Sequence, residues 1–319
     1  MMKNFTNVKA IGGIGNQLFV LAFGLAVSKR LKTQLVIDDS LIGFGSNKSR
    51  KIEITNLIFN EFQIEFANNN LFNLLFRKSN PVLQKTLWRI FSLNRKIITE
   101  NIQSKPQFKF ASGQTFSGYF QDWFYADYVY ELNSSFDLNL KNPSSVYLNL
   151  IKDTAQSKTI FVHVRLGDYL NFPNIYSILP ENYFLESLKH LGSNNNEKIW
   201  LFTEDLEQVK KFYPELIKKV DKVIDRNIGL TDIESFKLLC QGTKLVASNS
   251  TFSMWAAWFV NKNGFSAVVP LQMGVKGGSE SLIDERWDRY DLEKKVIIPG
   301  TKSNARYLEK KAAFLSKFK

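Results

Sequence analysis

Short apolar runs alternate with helical patterns through the second half of the chain. The runs Thr159–Val164, Lys198–Phe202 and Lys244–Ala247 predict buried strands, and Lys222–Ile224 is a weaker candidate. Helical spacing predicts helices at 180–191, 206–212, 228–242 and 248–260. The third of these has Thr231 or Asp232 as its N-cap and Gly242 as the glycine that ends it. This alternation predicts a parallel sheet with helices on both faces.

The first half opens with a strand around Val8 to Ile11, a glycine loop at 12–17 and a helix that runs through Leu31. A strand, a glycine loop and a helix in this order are typical of a backbone that approaches a ligand. A dinucleotide site is the weaker interpretation, because Gln17 and Leu18 stand where GxGxxG requires its last glycine. The amides of Asn16 and Gln17 can donate to or accept from a sugar hydroxyl or a phosphate.

An aromatic segment at 116–125, FSGYFQDWFY, precedes a polar stretch that ends near Ser145. Aromatic faces serve as sugar platforms, although they are more often core. The polar stretch and the helix predicted at 146–152 lead to a domain boundary. We therefore expect an N-terminal domain at 1–153, a C-terminal domain at 154–300 and a basic amphipathic tail at 301–319.

Charge favours an anionic partner, since 42 Lys and Arg residues outnumber 30 Asp and Glu residues and give a net charge of +12. Nucleotide phosphate, anionic lipid and nucleic acid all fit this charge. The region 77–96 and the tail both combine basic residues with apolar ones at helical spacing. Such a helix rests on an anionic membrane or packs on its own core. Nucleic acid is the weaker alternative, because no recognition module accompanies the basic residues.

Cys240 is the only cysteine, and His163 and His190 are the only histidines. An intrachain disulfide and a zinc cluster of the usual kind are therefore excluded, and a reducing compartment is favoured. The sequence has neither the apolar core of a signal peptide nor an apolar window of membrane-spanning length. We expect a cytoplasmic protein, with peripheral contact to the inner face of the membrane as an option.

The strand Thr159–Val164 leads into a polar cluster that holds His163, Arg165 and Asp168. Open α/β sheets bind ligands where a strand ends in this way. Arg165 is the leading candidate, because a guanidinium keeps its charge near neutral pH and offers a fork of donors to phosphate oxygens. The alternative is a surface ion pair between Arg165 and Asp168, with His163 as an ordinary residue of the strand end.

A second candidate site is the turn SNSTF at 248–252, which opens an apolar helix. Its three hydroxyl residues are Ser248, Ser250 and Thr251. A phosphate at a helix N-terminus gains hydrogen bonds from unpaired N–H groups and a favourable helix dipole. Capping explains one of the hydroxyls but not all three.

Five blocks in order resemble the α-1,2-fucosyltransferases of glycosyltransferase family 11. They are GGIGNQLF at 12–19, GYFQDWFY at 118–125, HVRLGDY at 163–169, FTEDLEQVKKF at 202–212 and SNSTFSMWAAWF at 248–259. The resemblance implies an α/β protein of the GT-B kind with two Rossmann-like domains and parallel sheets. It also implies GDP-fucose as the donor, held mainly by the C-terminal domain, and no metal or other cofactor.

The resemblance also assigns roles to residues. Arg165 and Asn16 become the catalytic pair, with Arg165 on the pyrophosphate and Asn16 facing the reacting sugar. The implied donor-binding residues are His163, Arg165, Asp205, Ser250, Thr251 and Phe252, and those on the acceptor side are Gly15, Gln17, Asp122 and Asp168. One departure is Leu166, which stands where the family commonly has a second arginine, and it bears on which donor is used.

We therefore expect an inverting transferase that moves L-fucose from GDP-β-L-fucose to the 2-hydroxyl of a terminal galactose. The expected acceptor is a galactose-terminated oligosaccharide of surface polysaccharide or O-antigen type, carried on a lipid. Two alternatives remain. One is a transferase of the same fold with another nucleotide sugar, and the other is a non-enzymatic basic protein that binds polyanions or membranes.

Overall fold

The structure is a computed structural model that describes residues 4–42, 50–58, 64–67, 97–133, 136, 138–192, 197–274 and 282–318. The basic region predicted at 77–96 lies outside these residues. The chain divides into two compact units: unit 1 is Met1–Asn139 together with Asn304–Lys319, and unit 2 is Leu140–Ser303. In the described ranges, no helix has the length and apolar character needed to cross a bilayer.

Unit 1 is built on a parallel sheet with helices. Its elements up to residue 140 are β1 Phe5–Lys9, α1 Ile14–Leu31, β2 Gln34–Asp38, a 3₁₀ helix Ile54–Asn56, β3 Leu57–Ile58, β4 Ile64–Ala67, β5 Ile97–Thr99, α2 Glu100–Gln103, β6 Thr115–Ser117, α3 Trp123–Asn133 and β7 Asn139–Leu140. Five strands form one sheet in the order β4-β2-β1-β6-β5, and its paired strands run parallel. The strand order therefore reverses between β1 and β6, which makes this a doubly wound sheet.

Helix α1 forms because its apolar residues cover nearly its whole surface, and fourteen of its residues are buried. Phe23 lies at the centre of this packing, stacked on Phe120 at 3.8 Å and edge-on to Phe116 at 5.2 Å. The aromatic segment predicted at 116–125 is thus mainly core. Tyr119 is the exception, with 40% of its surface exposed.

Unit 2 contains the second sheet. Its elements are α4 Ser145–Gln156, β8 Thr159–Val164, a 3₁₀ helix Gly167–Asn171, α5 Glu181–His190, β9 Lys198–Thr203, α6 Leu206–Phe212, α7 Pro214–Ile217, β10 Lys222–Ile224, a 3₁₀ helix Arg226–Ile228, α8 Asp232–Leu239, β11 Lys244–Val246, α9 Thr251–Lys262, β12 Ser266–Pro270, β13 Asp288–Asp291 and β14 Val296–Ile298; α10 Ala305–Ser316 follows in unit 1. The seven strands lie in the order β10-β9-β8-β11-β12-β13-β14. All pairs are parallel except β13 with β14. The expectation of two α/β units with parallel sheets is confirmed.

The order of the unit 2 strands reverses between β8 and β11. From β8 the chain winds outward through β9 to β10, and it then returns to the other side of β8 with β11. One face of β8 supplies Ile160, Val162 and Val164 to a buried cluster with α5. These residues share a face because alternate side chains of a strand point to the same side of the sheet. The polar residues that follow β8 and β11 therefore leave the sheet side by side.

Helix α8 begins as predicted, because Thr231 and Glu234 form a reciprocal capping box. Its end differs from the prediction. Cys240 is the C-cap in a right-handed conformation, and Gly242 does not have a positive φ. A side chain at Gly242 would instead place its Cβ 2.8 Å from Cδ2 of Phe161, so this glycine provides room for an aromatic ring.

The division between the units also differs from the predicted boundary at 153/154, which falls inside α4. Ser144 caps this helix by accepting a hydrogen bond from the N–H of Tyr147. Its own N–H donates to Glu234 Oε1 at 2.7 Å. Helix α4 thus joins unit 2 through α8, and the polar stretch before it is the connection.

Helix α10 packs on unit 1 rather than forming a separate tail. Phe314 is only 4% exposed and contacts rings of Phe110, Phe124 and Tyr128 at centroid distances of 5.2–5.5 Å. Lys310 pairs with Asp122 at 2.6 Å. Phe314 on the aromatic side of this helix therefore packs in the core of unit 1, which is one of the two alternatives that the sequence left open.

Candidate functional site

The candidate site in unit 2 lies where β8 and β11 end. Their ladder stops at the pair Val162 and Val246, and a side chain continues the connection: the N–H of Arg165 donates to Oγ of Ser248 at 3.3 Å. Parallel sheets bind ligands in the crevice at such a reversal of strand order. The two motifs singled out in the sequence, HVRLGDY and SNSTF, therefore meet at one point.

The guanidinium of Arg165 is held between a carboxylate and an aromatic ring. Its Nε lies 3.2 Å from Oε1 of Glu204, and its central carbon lies 5.7 Å from the ring centre of Tyr169. The side chain of Arg165 is 24% exposed and that of Glu204 is 12% exposed. Sequence reasoning assigned no role to Glu204.

His163 lies on β8, buried to 6% exposure, and its ring stacks on Phe252 at 5.2 Å. Burial and the nearby positive charge of Arg165 lower the pKa of this imidazole to about 3. The ring is therefore neutral at physiological pH. Its Nδ1 is buried and makes no hydrogen bond within the part of the chain that the structure describes.

Two of the three hydroxyls of the SNSTF turn have structural partners. Oγ of Ser250 accepts from the N–H of Ser253 at 3.2 Å and caps α9. The N–H of Ser248 donates to Oγ of Ser253 at 2.7 Å, while Oγ of Ser248 meets Arg165. Thr251 is the first residue of the helix. These contacts tie the turn before α9 to the backbone N–H of Arg165, and the N–H groups at the N-terminus of α9 favour a negative charge.

Asn249 joins three loops around this site and was not identified from the sequence. Its Nδ2 donates to the carbonyl oxygens of Ser177 and Met273, at 2.7 and 3.2 Å. Its own carbonyl accepts from the hydroxyl of Tyr169 at 3.0 Å. Tyr169 in turn stacks on Tyr176 at 4.0 Å. The loop after β8 is thus tied to the turn before α9.

Asp205 was expected on the donor side and Asp168 on the acceptor side, and the structure describes them to different extents. Asp205, expected on the guanine or ribose, caps α6 by accepting from the N–H of Gln208 at 3.1 Å. The carboxylate that meets Arg165 is its neighbour Glu204. Asp168 lies in the 3₁₀ helix Gly167–Asn171, and its side chain is outside the described part of the structure.

A second candidate site lies at the reversal of strand order in unit 1. Nε2 of Gln121, in the loop after β6, donates to Oδ1 of Asn16 on the first turn of α1 at 2.9 Å. Gly12 makes room for this amide, since a Cβ there would lie 2.5 Å from Nδ2 of Asn16. Phe120 adopts a left-handed φ of 49° just before Gln121. Such strain clusters at functional sites.

The other residues expected on the acceptor side have structural roles. Gln17 is fully buried; its Nε2 donates to the carbonyls of Gly12 and Lys51, and its Oε1 accepts from the N–H of Glu53. Its amide therefore holds the segment after residue 50 rather than facing a ligand. Asp122 pairs with Lys310 and accepts from the N–H of Phe124 at 2.9 Å. Gly15 is buried in the first turn of α1.

Comparison with known proteins gives a family. The family described as Glycosyl transferase family 11 matches residues 6–273. An Escherichia coli alpha-1,2-colitosyltransferase is 25% identical over 265 residues, which cover 78% of this chain and 86% of that protein. The Escherichia coli O-antigen biosynthesis glycosyltransferase WbnK is 23% identical over 311 residues, or 86% of this chain and 97% of that protein.

A solved structure has the same fold. The crystal structure of the alpha-1,6-fucosyltransferase NodZ soaked with GDP-fucose superposes with a TM-score of 0.51 at 14% identity. The match covers 94% of this chain and 100% of that chain, and NodZ comes from Bradyrhizobium. The fold class is therefore α/β of the GT-B kind. Among the residues described for this chain, no group of three or more His, Cys, Asp or Glu side chains could hold a metal ion.

Proposed function

The chain belongs to glycosyltransferase family 11, and on that premise we propose that it transfers L-fucose from GDP-β-L-fucose to the 2-hydroxyl of a terminal galactose. The anomeric carbon is inverted from β to α. The observation that carries this proposal is Arg165, whose backbone N–H donates to Ser248 of the turn that leads into α9. A guanidinium and a helix N-terminus together match the charge of a nucleoside diphosphate.

The groups of unit 2 suit the departure of GDP. As the bond to fucose breaks, negative charge gathers on the diphosphate, and Arg165 and the first N–H groups of α9 would stabilise it. Donors that are already in place need no reorganisation at that moment. His163 would contribute as a neutral ring beside the nucleotide, because its low pKa keeps it uncharged. A neutral ring avoids a second buried charge next to Arg165.

The amides of unit 1 suit sugar hydroxyls. Asn16 and Gln121 are neutral and part-buried, and each amide has both donors and acceptors. We assign to Asn16 the contact with the reacting sugar that the family resemblance implied. No residue is assigned as the base that removes the proton of the acceptor hydroxyl, since Asp122 is paired with Lys310.

A second candidate function is transfer of colitose from the corresponding nucleotide sugar. It is favoured by the similarity to an alpha-1,2-colitosyltransferase over 86% of that protein's length. Colitose is the 3-deoxy analogue of L-fucose, so the diphosphate site would be the same and only the sugar contacts would differ. Leu166, in place of the family's usual second arginine, is a further reason to test both donors.

The acceptor and the cellular location are part of the proposal as well. A lipid-linked oligosaccharide of O-antigen type fits the similarity to WbnK. The net charge of +12 would favour a peripheral position on an anionic cytoplasmic membrane surface. Flotation of the protein with and without phosphatidylglycerol in the liposomes tests this, and recovery at equal levels on both would oppose it.

The experiment that tests the function measures thermal unfolding with GDP, GDP-fucose, GDP-colitose, UDP and ADP. A ligand at a hundred times its dissociation constant adds roughly 2.7 kcal/mol of stability. We expect a rise in melting temperature with the guanine nucleotides only. Arg165→Ala should abolish it, and Arg306→Ala, which removes an exposed arginine of α10, should not.

Transfer itself is then assayed with both GDP-sugars and a β-galactoside acceptor, and the linkage of the product is determined by NMR. An α-1,2 product from GDP-fucose supports the first candidate, and one formed mainly from GDP-colitose supports the second. A shift with UDP alone would point to another donor class. No shift with any nucleotide would contradict the proposal and favour a protein that binds polyanions.

A further inference from the structure

Glu204 and Arg165 follow neighbouring strands at the same level of the sheet. Val164 at the end of β8 pairs with Thr203 at the end of β9, so the next residue of each strand continues the register. Their side chains meet at 3.2 Å between Nε and Oε1. The carboxylate of Glu204 thus forms an ion pair with the guanidinium at its Nε.

We propose that Glu204 is a positioning residue, which holds Arg165 by its Nε so that the guanidinium presents a fixed plane to the diphosphate of the nucleotide sugar. This inference rests on the proposed function. A long side chain loses conformational entropy when it is fixed. With Glu204 in place, much of that loss occurs on folding rather than when the leaving group departs.

Gly167 provides independent support. A Cβ at this position would lie 2.5 Å from Oε1 of Glu204, 3.1 Å from its Cγ and 3.2 Å from its Cδ. Gly167 does not have a positive φ, so the backbone conformation does not require glycine. A side chain at this position would displace the carboxylate that reaches Arg165. The glycine of HVRLGDY and the glutamate of FTED therefore belong to one arrangement.

The contact between Glu204 and Arg165 predicts that loss of Glu204 lowers kcat without weakening GDP binding. A carboxylate beside the diphosphate repels it, so removal of Glu204 should leave GDP affinity unchanged or slightly higher. The same removal frees the guanidinium, and the transition state loses an ordered donor. We expect Glu204→Ala to lower kcat about tenfold, while the dissociation constant of GDP stays within about threefold of wild type.

Three further variants separate positioning from other roles. Glu204→Gln keeps an acceptor of the same length and should restore most of kcat. Glu204→Asp keeps the charge but withdraws the oxygen by one methylene, and should lose about as much as Glu204→Ala. In the Arg165→Ala background, Glu204→Ala should cause no further loss, because the residue acts through Arg165.

A matched control lies at the opposite end of β9. Glu197, just before β9, is 11% exposed and pairs with Lys244 of β11 at 2.7 Å. Glu197→Ala removes a carboxylate of similar burial and should lower the melting temperature without lowering kcat. A fall in kcat equal to that of Glu204→Ala would mean that loss of any such ion pair disturbs the enzyme, and would overturn the proposal.

The measurements are GDP titration calorimetry, steady-state transfer from GDP-fucose and thermal unfolding of each variant. A loss of GDP affinity above tenfold in both Glu204→Ala and Glu204→Gln would make Glu204 a nucleotide contact and overturn positioning. Unchanged kcat in Glu204→Ala would also overturn it. If Glu204→Ala does not fold, the comparison of kcat between Glu204→Gln and Glu204→Asp decides whether Glu204 positions Arg165. Failure of the proposed function is visible separately, because wild type would then neither bind GDP nor transfer.

Discussion

Replacement of Phe314 by alanine tests whether α10 is an integral part of unit 1. The ring is 4% exposed and has five aromatic neighbours at 4.9–5.9 Å, namely Phe110, Phe124, Tyr125, Tyr128 and Phe318. Truncation of a buried phenylalanine costs about 3–5 kcal/mol, through lost burial and the cavity left behind. At roughly 2–4 °C for each kcal/mol in a unit of this size, the melting temperature should fall by about 10 °C.

The assay is differential scanning calorimetry with hydrogen exchange, which assigns the lost stability to unit 1. Leu308→Ala is the control, because Leu308 lies on the same helix but is 59% exposed and should change stability by less than about 0.5 kcal/mol. Equal melting temperatures for the two variants would refute the packing argument. Such a result would also revive the earlier interpretation of this segment as a membrane-binding tail.

Three further predictions concern unit 2. Arg165→Ala should lower the transfer rate by a factor on the order of hundreds, since loss of a preorganised donor costs about 3 kcal/mol; a steady-state assay at saturating donor checks this. Acidification should destabilise wild type between pH 6.5 and about 3, because the unfolded state gains the proton of His163 before the folded state does. In pH-dependent urea unfolding, His163→Phe should remove up to about 1.4 kcal/mol per pH unit of that slope, and identical slopes would contradict the buried neutral ring. Thr231→Ala should cost about 1 kcal/mol through loss of the capping box of α8, measured by the same urea titration.

Features that depend on residues close together in the sequence, such as strand ends and helix caps, could be predicted. The bounds of β8 and α6 agree with the predicted ones, because a buried run ends in polar residues in the first case and an acidic cap opens the helix in the second. Thr231 and Glu234 match the sequence pattern of a capping box. HVRLGDY and SNSTF were both identified as candidate anion sites from the sequence, and the family resemblance assigned both to the diphosphate.

The partners of several site residues could not be predicted, because they depend on contacts between residues distant in the sequence. In TED, at 203–205, nothing local says that Glu204 reaches Arg165 while Asp205 caps a helix, although the spacing to Gln208 was a usable signal for the cap. The buried amide of Gln17 serves a segment more than thirty residues away. The partner of Asn16 is 105 residues distant. Such contacts depend on the path of the chain, which periodicity does not encode.

The discontinuity of unit 1 has a consequence for the order in which the protein forms on the ribosome. All of unit 2 lies within Leu140–Ser303, so its sequence is translated between the two parts of unit 1. Unit 1 begins first but acquires Phe314 only after all of unit 2 has been translated. At 5–20 residues per second, its aromatic residues around Phe110 wait roughly ten seconds or more for α10. During that interval the nascent chain lacks the helix that covers the apolar surface around Phe110.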